Sequence, residues 1–240
     1  MQESCDAGSM KEAVSRVQEN ILAACQRAGR NPEEVTLIAV SKTMPVAAIR
    51  EAMACGLSEF GENRPQELRD KQAEITGPLR WHMIGTLQTN KLKYVVGKTV
   101  LIHSVDSLHL AEAIEEESKK RGVVSEILLE VNIAGEASKH GIAPEELEGL
   151  VRKVAGLPNL KLRGLMTVAP YTGVPEENRP YFRKMKQLVV DINSKNIDNV
   201  YMDKLSMGMT GDYEIAVEEG ATLVRVGTGI FGQRVYPSKE

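Results

Sequence analysis

The feature that most constrains this chain is a regular alternation of short apolar runs with amphipathic helical segments, repeated eight times. Val35–Ser41, Glu59–Glu62, Trp81–Gly85, Val100–Val105, Glu126–Asn132, Leu160–Met166, Met202–Met207 and Thr222–Val226 read as buried strands. Helical periodicity fills the gaps at Pro45–Cys55, Gln66–Ile75, Gln88–Val95, Leu108–Arg121, Pro144–Val154, Pro180–Asn193 and Tyr213–Glu219, and a short tail follows the last strand. A further helix, carried by Val14, Val17, Ile21, Leu22, Cys25 and Ala28, precedes the first strand. Strands that alternate with helices form a parallel sheet. Eight such units predict an α/β fold, a single (β/α)8 TIM barrel with an extra N-terminal helix on its outside or across its bottom. An open doubly wound sheet is the competing topology. No linker divides the chain, so residues 10–240 are expected as one domain, with residues 1–9 as a disordered or vector-derived tail.

Aromatic residues make up only 4% of the 240, so the core must be built from aliphatic side chains and methionine. The net charge of −3 lacks the basic excess that phosphate-backbone binding needs, which argues against nucleic acid as a partner. No apolar run approaches the ~18 residues of a membrane span, and residues 1–9 do not resemble a secretory signal. A soluble, cytoplasmic protein is expected. Cys5, Cys25 and Cys55 are odd in number and widely spaced, as in reduced thiols, and no His/Cys/carboxylate cluster has metal-ligand spacing.

Barrel active sites lie at the C-terminal ends of the strands. There the sequence places Lys42, Asn63, Ser206, Arg225, Gly227 and Thr228, with His82 on the third strand. Lys42 directly follows an apolar run. In an enclosed mouth its amine would be desolvated and freed as a nucleophile, whereas at an open strand end it would reach to solvent. GTGIFG at 227–232 matches GxGxxG but lacks the βαβ context of a dinucleotide site. It reads either as a barrel phosphate loop, with the Gly227 and Thr228 N–H groups and the Ser206 hydroxyl as donors, or as a terminal turn. Arg225 lies two residues before Gly227 and shares its face of the strand. His82 also reads as a satisfied core histidine. His103, His109 and His140 read as surface or loop groups, and Met207 and Met209 as packing residues.

Six ordered stretches carry a resemblance. VSKTMP at 40–45, FGENRPQE at 60–67, WHMIGTLQTNK at 81–91, GLMTVAP at 164–170, LSMGMTGDYEIAVEEGAT at 205–222 and VRVGTGIFGQR at 224–234 resemble the pyridoxal 5′-phosphate (PLP) homeostasis family. The likeness runs from Met10 to Arg234. That family is similar to the barrel domain of alanine racemase, so the resemblance implies fold-type III PLP binding. Carried over by position, Lys42 forms an internal aldimine with PLP. Ser206, Gly227 and Thr228 hold the phosphate, Arg225 faces the pyridine nitrogen, and Asn63 and His82 line the ring pocket. Two positions depart from the pattern: Pro65 stands where Val is expected, and Gly229 where Ala is more frequent.

The resemblance implies a carrier and regulator of PLP supply, with no catalytic residue assigned and no robust catalysis. PLP is the expected cofactor and apo PLP-dependent enzymes the expected recipients, for a chain acting as a monomer or weak homodimer. The sequence ends soon after the last strand, without the β-rich domain that gives alanine racemases a catalytic tyrosine. An amino-acid racemase-like enzyme is the alternative, and a cofactor-free lysine aldolase is a third reading of the same rim.

Overall fold

The computed structural model describes residues 9–136 and 140–233. Eight parallel strands close into a barrel in sequence order: β1 (Thr36–Val40), β2 (Glu59–Glu62), β3 (Arg80–Met83), β4 (Leu101–Val105), β5 (Ser125–Glu130), β6 (Leu160–Met166), β7 (Lys204–Met209) and β8 (Leu223–Val226). Closure is made by β1 on β8, with Thr36 opposite Leu223 and Ala39 opposite Val226, which excludes the open doubly wound sheet. The helices are α1 (Met10–Arg27), α2 (Val46–Ala54), α3 (Pro65–Glu74), α4 (Leu108–Arg121), α5 (Leu147–Val154), α6 (Arg179–Ser194), α7 (Tyr213–Glu218) and α8 (Thr228–Phe231).

Several elements differ from the sequence reading, among them the helix expected over Pro144–Val154, which opens with a 3₁₀ turn at Pro144–Glu146 before α5. The expected helix at Gln88–Val95 is a 3₁₀ helix over Thr89–Tyr94. It lacks a capping side chain at Gln88 and runs into the β-branched pair Val95-Val96, so nothing favours a longer α-helix there. Strand β7 extends to Met209 rather than Met207, because the chain passes through Gly208 at a positive φ of 87° and its register against β8 shifts. After β8 the glycine-rich segment forms the short helix α8 instead of a plain tail. Ser9 belongs to the fold and not to a tail. Its hydroxyl accepts the Glu12 N–H while the Glu12 carboxylate accepts the Ser9 N–H, a reciprocal cap on α1. Residues 1–8 lie outside the described residues.

Helix α1 joins the outer ring beside α7: Arg27 pairs with Glu214 and Glu218, and Asn20 donates to the Tyr213 hydroxyl. Among the described residues no helix is long and apolar enough to cross a membrane.

The apolar interior has two parts. A large cluster fills the layer between strands and helices, including Phe60, Trp81, Met83, Phe182 and Met207. The barrel lumen holds only a small one, Ile38, Leu101, Leu128, Met166 and Leu223. Polar side chains occupy much of the remaining lumen. On the wall, a Cβ built at Gly164 would lie 1.7 Å from the Lys204 carbonyl oxygen, so β6 and β7 approach closely only because that residue is glycine.

Candidate functional site

A cavity of about 1000 Å³ opens at the C-terminal ends of the strands, and Lys42, Asn63, Thr210, Arg225, Gly227 and Thr228 all line it. These residues come from loops or strand ends after β1, β2, β7 and β8, which is where barrel folds place their chemistry.

Lys42 is held by its neighbours on both sides. The Ser41 hydroxyl, fully buried, donates to Glu62 at 2.6 Å. The Ser41 carbonyl accepts from the Lys71 amine at 2.7 Å, and the same amine pairs with Glu62 at 2.7 Å and Glu67 at 3.3 Å. Thr43 adopts a left-handed φ of 65° and donates its N–H to Glu67 at 2.8 Å. Burial raises the Glu62 carboxyl above the ordinary range, against the pull of Lys71. The sequence reading missed Glu62, Glu67 and Lys71. The i,i+4 spacing of Glu67 and Lys71 shows that they share a face of α3, but not that this face meets Glu62 and the Lys42 turn.

Arg225 lies almost fully buried at the cavity wall. It donates to the Ser206 hydroxyl at 2.5 Å and to the Thr167 carbonyl at 2.8 Å. Burial lowers its pKa to about 10, with Glu130 and Asp212 opposing, so the guanidinium stays cationic at neutral pH.

Ser206 and His82 do not line the cavity. Ser206 is inside β7, below the mouth, because the strand runs past it to Met209. His82 is buried lower in the lumen and bonds to His103 at 3.0 Å and to Glu59 at 2.7 Å. His103, expected at the surface or in a loop, is fully buried on β4 and meets Ser206 at 2.9 Å. Its alternation with Leu101, which faces the lumen, carried the signal. Burial, reinforced by His82 and Arg225, drives the His103 pKa well below the ordinary histidine value. Met209 is partly exposed at the rim rather than packed in the core, whereas Met207 is core.

The residue that stands at the end of β7 is Thr210. Its Oγ1 accepts the N–H groups of Gly227 and Gly229, each at 3.3 Å. Two backbone donors therefore converge at the cavity rim beside a hydroxyl. A Cβ at Gly229 would come within 2.8 Å of a Val226 methyl and 3.2 Å of the Thr210 methyl, so the glycine permits this close approach. The Asn63 amide oxygen is buried without a hydrogen-bond partner, in a residue that lines the cavity. Pro65 begins α3 at its first turn, with Arg64 extended before it, as proline prefers.

The polar lining suits a small anionic ligand that carries an electrophile and a hydrogen-bond donor. It offers an amine, a guanidinium, convergent backbone N–H groups and an unpaired amide oxygen.

Comparison with known proteins gives a consistent result. The family described as alanine racemase, N-terminal domain, matches residues 13–235. A "Pyridoxal phosphate homeostasis protein" of Aquifex aeolicus is 48% identical over 226 residues, covering 94% of this chain and 98% of its own. A protein of the same name in Pseudomonas aeruginosa is 44% identical over 229 residues, covering 95% and 97%. Among solved structures, PipY of Synechococcus elongatus, determined with PLP bound, superposes with a TM-score of 0.83 at 36% identity, covering 93% of this chain and all of that one. Alanine racemase from Corynebacterium glutamicum shares the fold, with a TM-score of 0.68 at 15% identity over 96% of this chain and 64% of its own.

Proposed function

Given that the chain belongs to the family of pyridoxal phosphate homeostasis proteins, we propose that it binds PLP in the barrel mouth and maintains the supply of that cofactor instead of turning over an amino acid. The observation that carries this reading is the convergence of Lys42, Arg225 and the Thr210–Gly227 rim on one cavity. When bound, PLP supplies an aldehyde that reacts reversibly with a primary amine and a ring nitrogen that can act as an electron sink. Lys42 is the covalent anchor, since it is the lysine that lines the cavity among the described residues.

The phosphate is held by Thr210 and by the backbone N–H groups of Gly227, Thr228 and Gly229. Thr210 takes the place that the sequence alone gave to Ser206. Asn63 turns its amide to the ring edge. Arg225 faces the ring nitrogen as a donor that cannot itself be a base at neutral pH. A cation there opposes protonation of the ring and weakens the sink, which favours holding the cofactor over carbanion chemistry.

The reading extends to a monomer or weak homodimer that passes PLP to apo PLP-dependent enzymes. Residues 10–240 act as one unit in it, since the barrel closes on itself within the described part of that span.

The test is absorption spectroscopy of purified protein loaded with PLP, then borohydride reduction and peptide mapping. The expected outcome is a visible chromophore, with the label on Lys42 and lost in Lys42→Ala. Label on another lysine overturns the anchor. A parallel assay mixes loaded protein with an apo PLP enzyme and follows regained activity beside alanine racemisation. Racemisation abolished by Lys42→Ala would replace the carrier reading with an enzymatic one.

A further inference from the structure

Behind Arg225, the lumen of the barrel contains a continuous line of polar side chains that do not line the cavity. It runs from Arg225 at the cavity wall to Ser206 at 2.5 Å, to His103 at 2.9 Å, to His82 at 3.0 Å and to Glu59 at 2.7 Å. Glu59 is the first residue of β2, at the N-terminal end of the barrel strands, where Arg80 also donates to it at 2.6 Å. The line therefore passes from the mouth to the opposite face.

Its ends fix its direction. A guanidinium only donates, and an ionised carboxylate only accepts. Because Arg225 donates to the Ser206 oxygen, the Ser206 hydroxyl proton is free to point at His103 Nδ1. His103 must then carry its proton on Nε2 and give it to His82 Nδ1, and His82 carries its own on Nε2 toward Glu59. One arrangement of neutral rings satisfies every link. A proton added to either histidine puts two donors face to face, and the links above it must reverse, turning Ser206 from donor into acceptor of a second bond. The edge-on arrangement of the two imidazoles, 74° between planes, suits a single N–H between them. The groups facing the line are Arg80 and Glu59 at the bottom and Arg225 at the top, with Glu130 and Asp212 acting on Arg225. Burial opposes ionisation of Glu59, but its hydrogen bond with His82 and its bond and charge interaction with Arg80 hold its carboxyl below the ordinary range, in keeping with an acceptor end.

We infer that Glu59, His82, His103 and Ser206 are positioning residues that set the direction in which Arg225 donates, so that its remaining N–H groups are aimed at the acceptor nitrogen of a ring bound in the cavity. The inference rests on the PLP reading. It assigns a task to His82, His103 and Ser206 without contact between them and the ligand.

The experiment compares PLP with its analogue in which the ring nitrogen is replaced by C–H, keeping aldehyde and phosphate. Affinity for each is measured by absorbance titration in wild type, His103→Phe, His103→Gln and Ser206→Ala, with Tm as a check on folding. Wild type is expected to prefer PLP by roughly ten- to a hundredfold, the worth of one charged hydrogen bond. His103→Phe should erase most of that preference while changing affinity for the analogue by less than about threefold, within the scatter of an uninvolved contact. His103→Gln, whose amide can both accept and donate, should restore it. Should His103→Phe fail to fold, Ser206→Ala, which removes one oxygen, breaks the same line. Proportional loss of both ligands in the variants would show packing alone and overturn the inference, as would equal affinities in wild type. A wild type that takes up neither ligand would instead sink the PLP reading itself.

Discussion

Thr43 donates its backbone N–H to the Glu67 carboxylate at 2.8 Å, and this bond holds Thr43 at a left-handed φ of 65° one residue past Lys42. A β-branched residue at that φ is strained, so an outside partner must hold it. Glu67→Ala should lower stability by about 1 kcal/mol and reduce the yield of borohydride-trapped PLP on Lys42. In a Thr43→Gly background, where the turn needs no help, the same change should cost less trapped PLP. Equal losses in both backgrounds would show that Glu67 does not act through the turn.

The Lys71–Glu62 pair beneath this turn is almost fully buried. Removing one partner strands the other's charge. Lys71→Met should therefore cost roughly 3–5 kcal/mol in urea unfolding, and adding Glu62→Gln should recover most of it. Glu62 has a raised carboxyl, so the folded state holds its proton more tightly than the unfolded chain does. Its contribution to stability is greatest below the ordinary carboxylate pKa and falls as pH rises through the folded value. The Lys71→Met deficit should accordingly be smaller at about pH 5 than at about pH 8.

Thr210→Val should weaken PLP binding more than pyridoxal binding, by roughly 1.5–3 kcal/mol for a hydrogen bond to a charged group. Ser206→Ala, acting only through Arg225, should weaken the two ligands equally. Calorimetric titration of both ligands against both variants checks this. A phosphate-selective loss in Ser206→Ala would return that residue to the phosphate site.

His103 is kept neutral in the folded barrel, with its pKa well below 6.5. A base whose folded pKa is lowered contributes stability that is present above its unfolded pKa and lost as pH falls below it. Glu59, with its carboxyl lowered, adds a second loss beginning at the ordinary carboxylate pKa of 4.5. The part of wild-type stability that comes from His103 should therefore decline from about pH 6.5 downward. The urea midpoint of wild type, measured as a difference from His103→Gln, should fall as pH drops below about 6.5, and a difference that stays constant with pH would count against it.

The alternation of runs made the barrel legible, because each strand and helix announces itself locally. Lys42, Asn63, Arg225, Gly227 and Thr228 were legible for the same reason, since strand ends fix the rim. Ser206 was misplaced by one feature, the passage of β7 through Gly208 with a shifted register. That shift moved the strand end to Met209 and brought Thr210 to the mouth. His103 could have been placed inside from its alternation with Leu101, but its partner Ser206 could not, because nothing near it in sequence hints at a residue 103 positions away. The clamp around Lys42 likewise depends on how α3 docks beside β1, which no local pattern records.

The polar line through the lumen also bears on how the barrel is assembled. Glu59, His82, His103, Ser206 and Arg225 come from β2, β3, β4, β7 and β8, and Arg225 also reaches Thr167, the residue after β6. A strand that slid by one residue would turn its member of the line outward and leave the next one buried without a partner. An aliphatic lumen would tolerate such slippage with little penalty, since one leucine replaces another. Here each staggered alternative strands a charge or an imidazole, so the same side chains that aim Arg225 act as a gauge of correct closure, selecting a single shear among the barrels this alternating sequence could otherwise form.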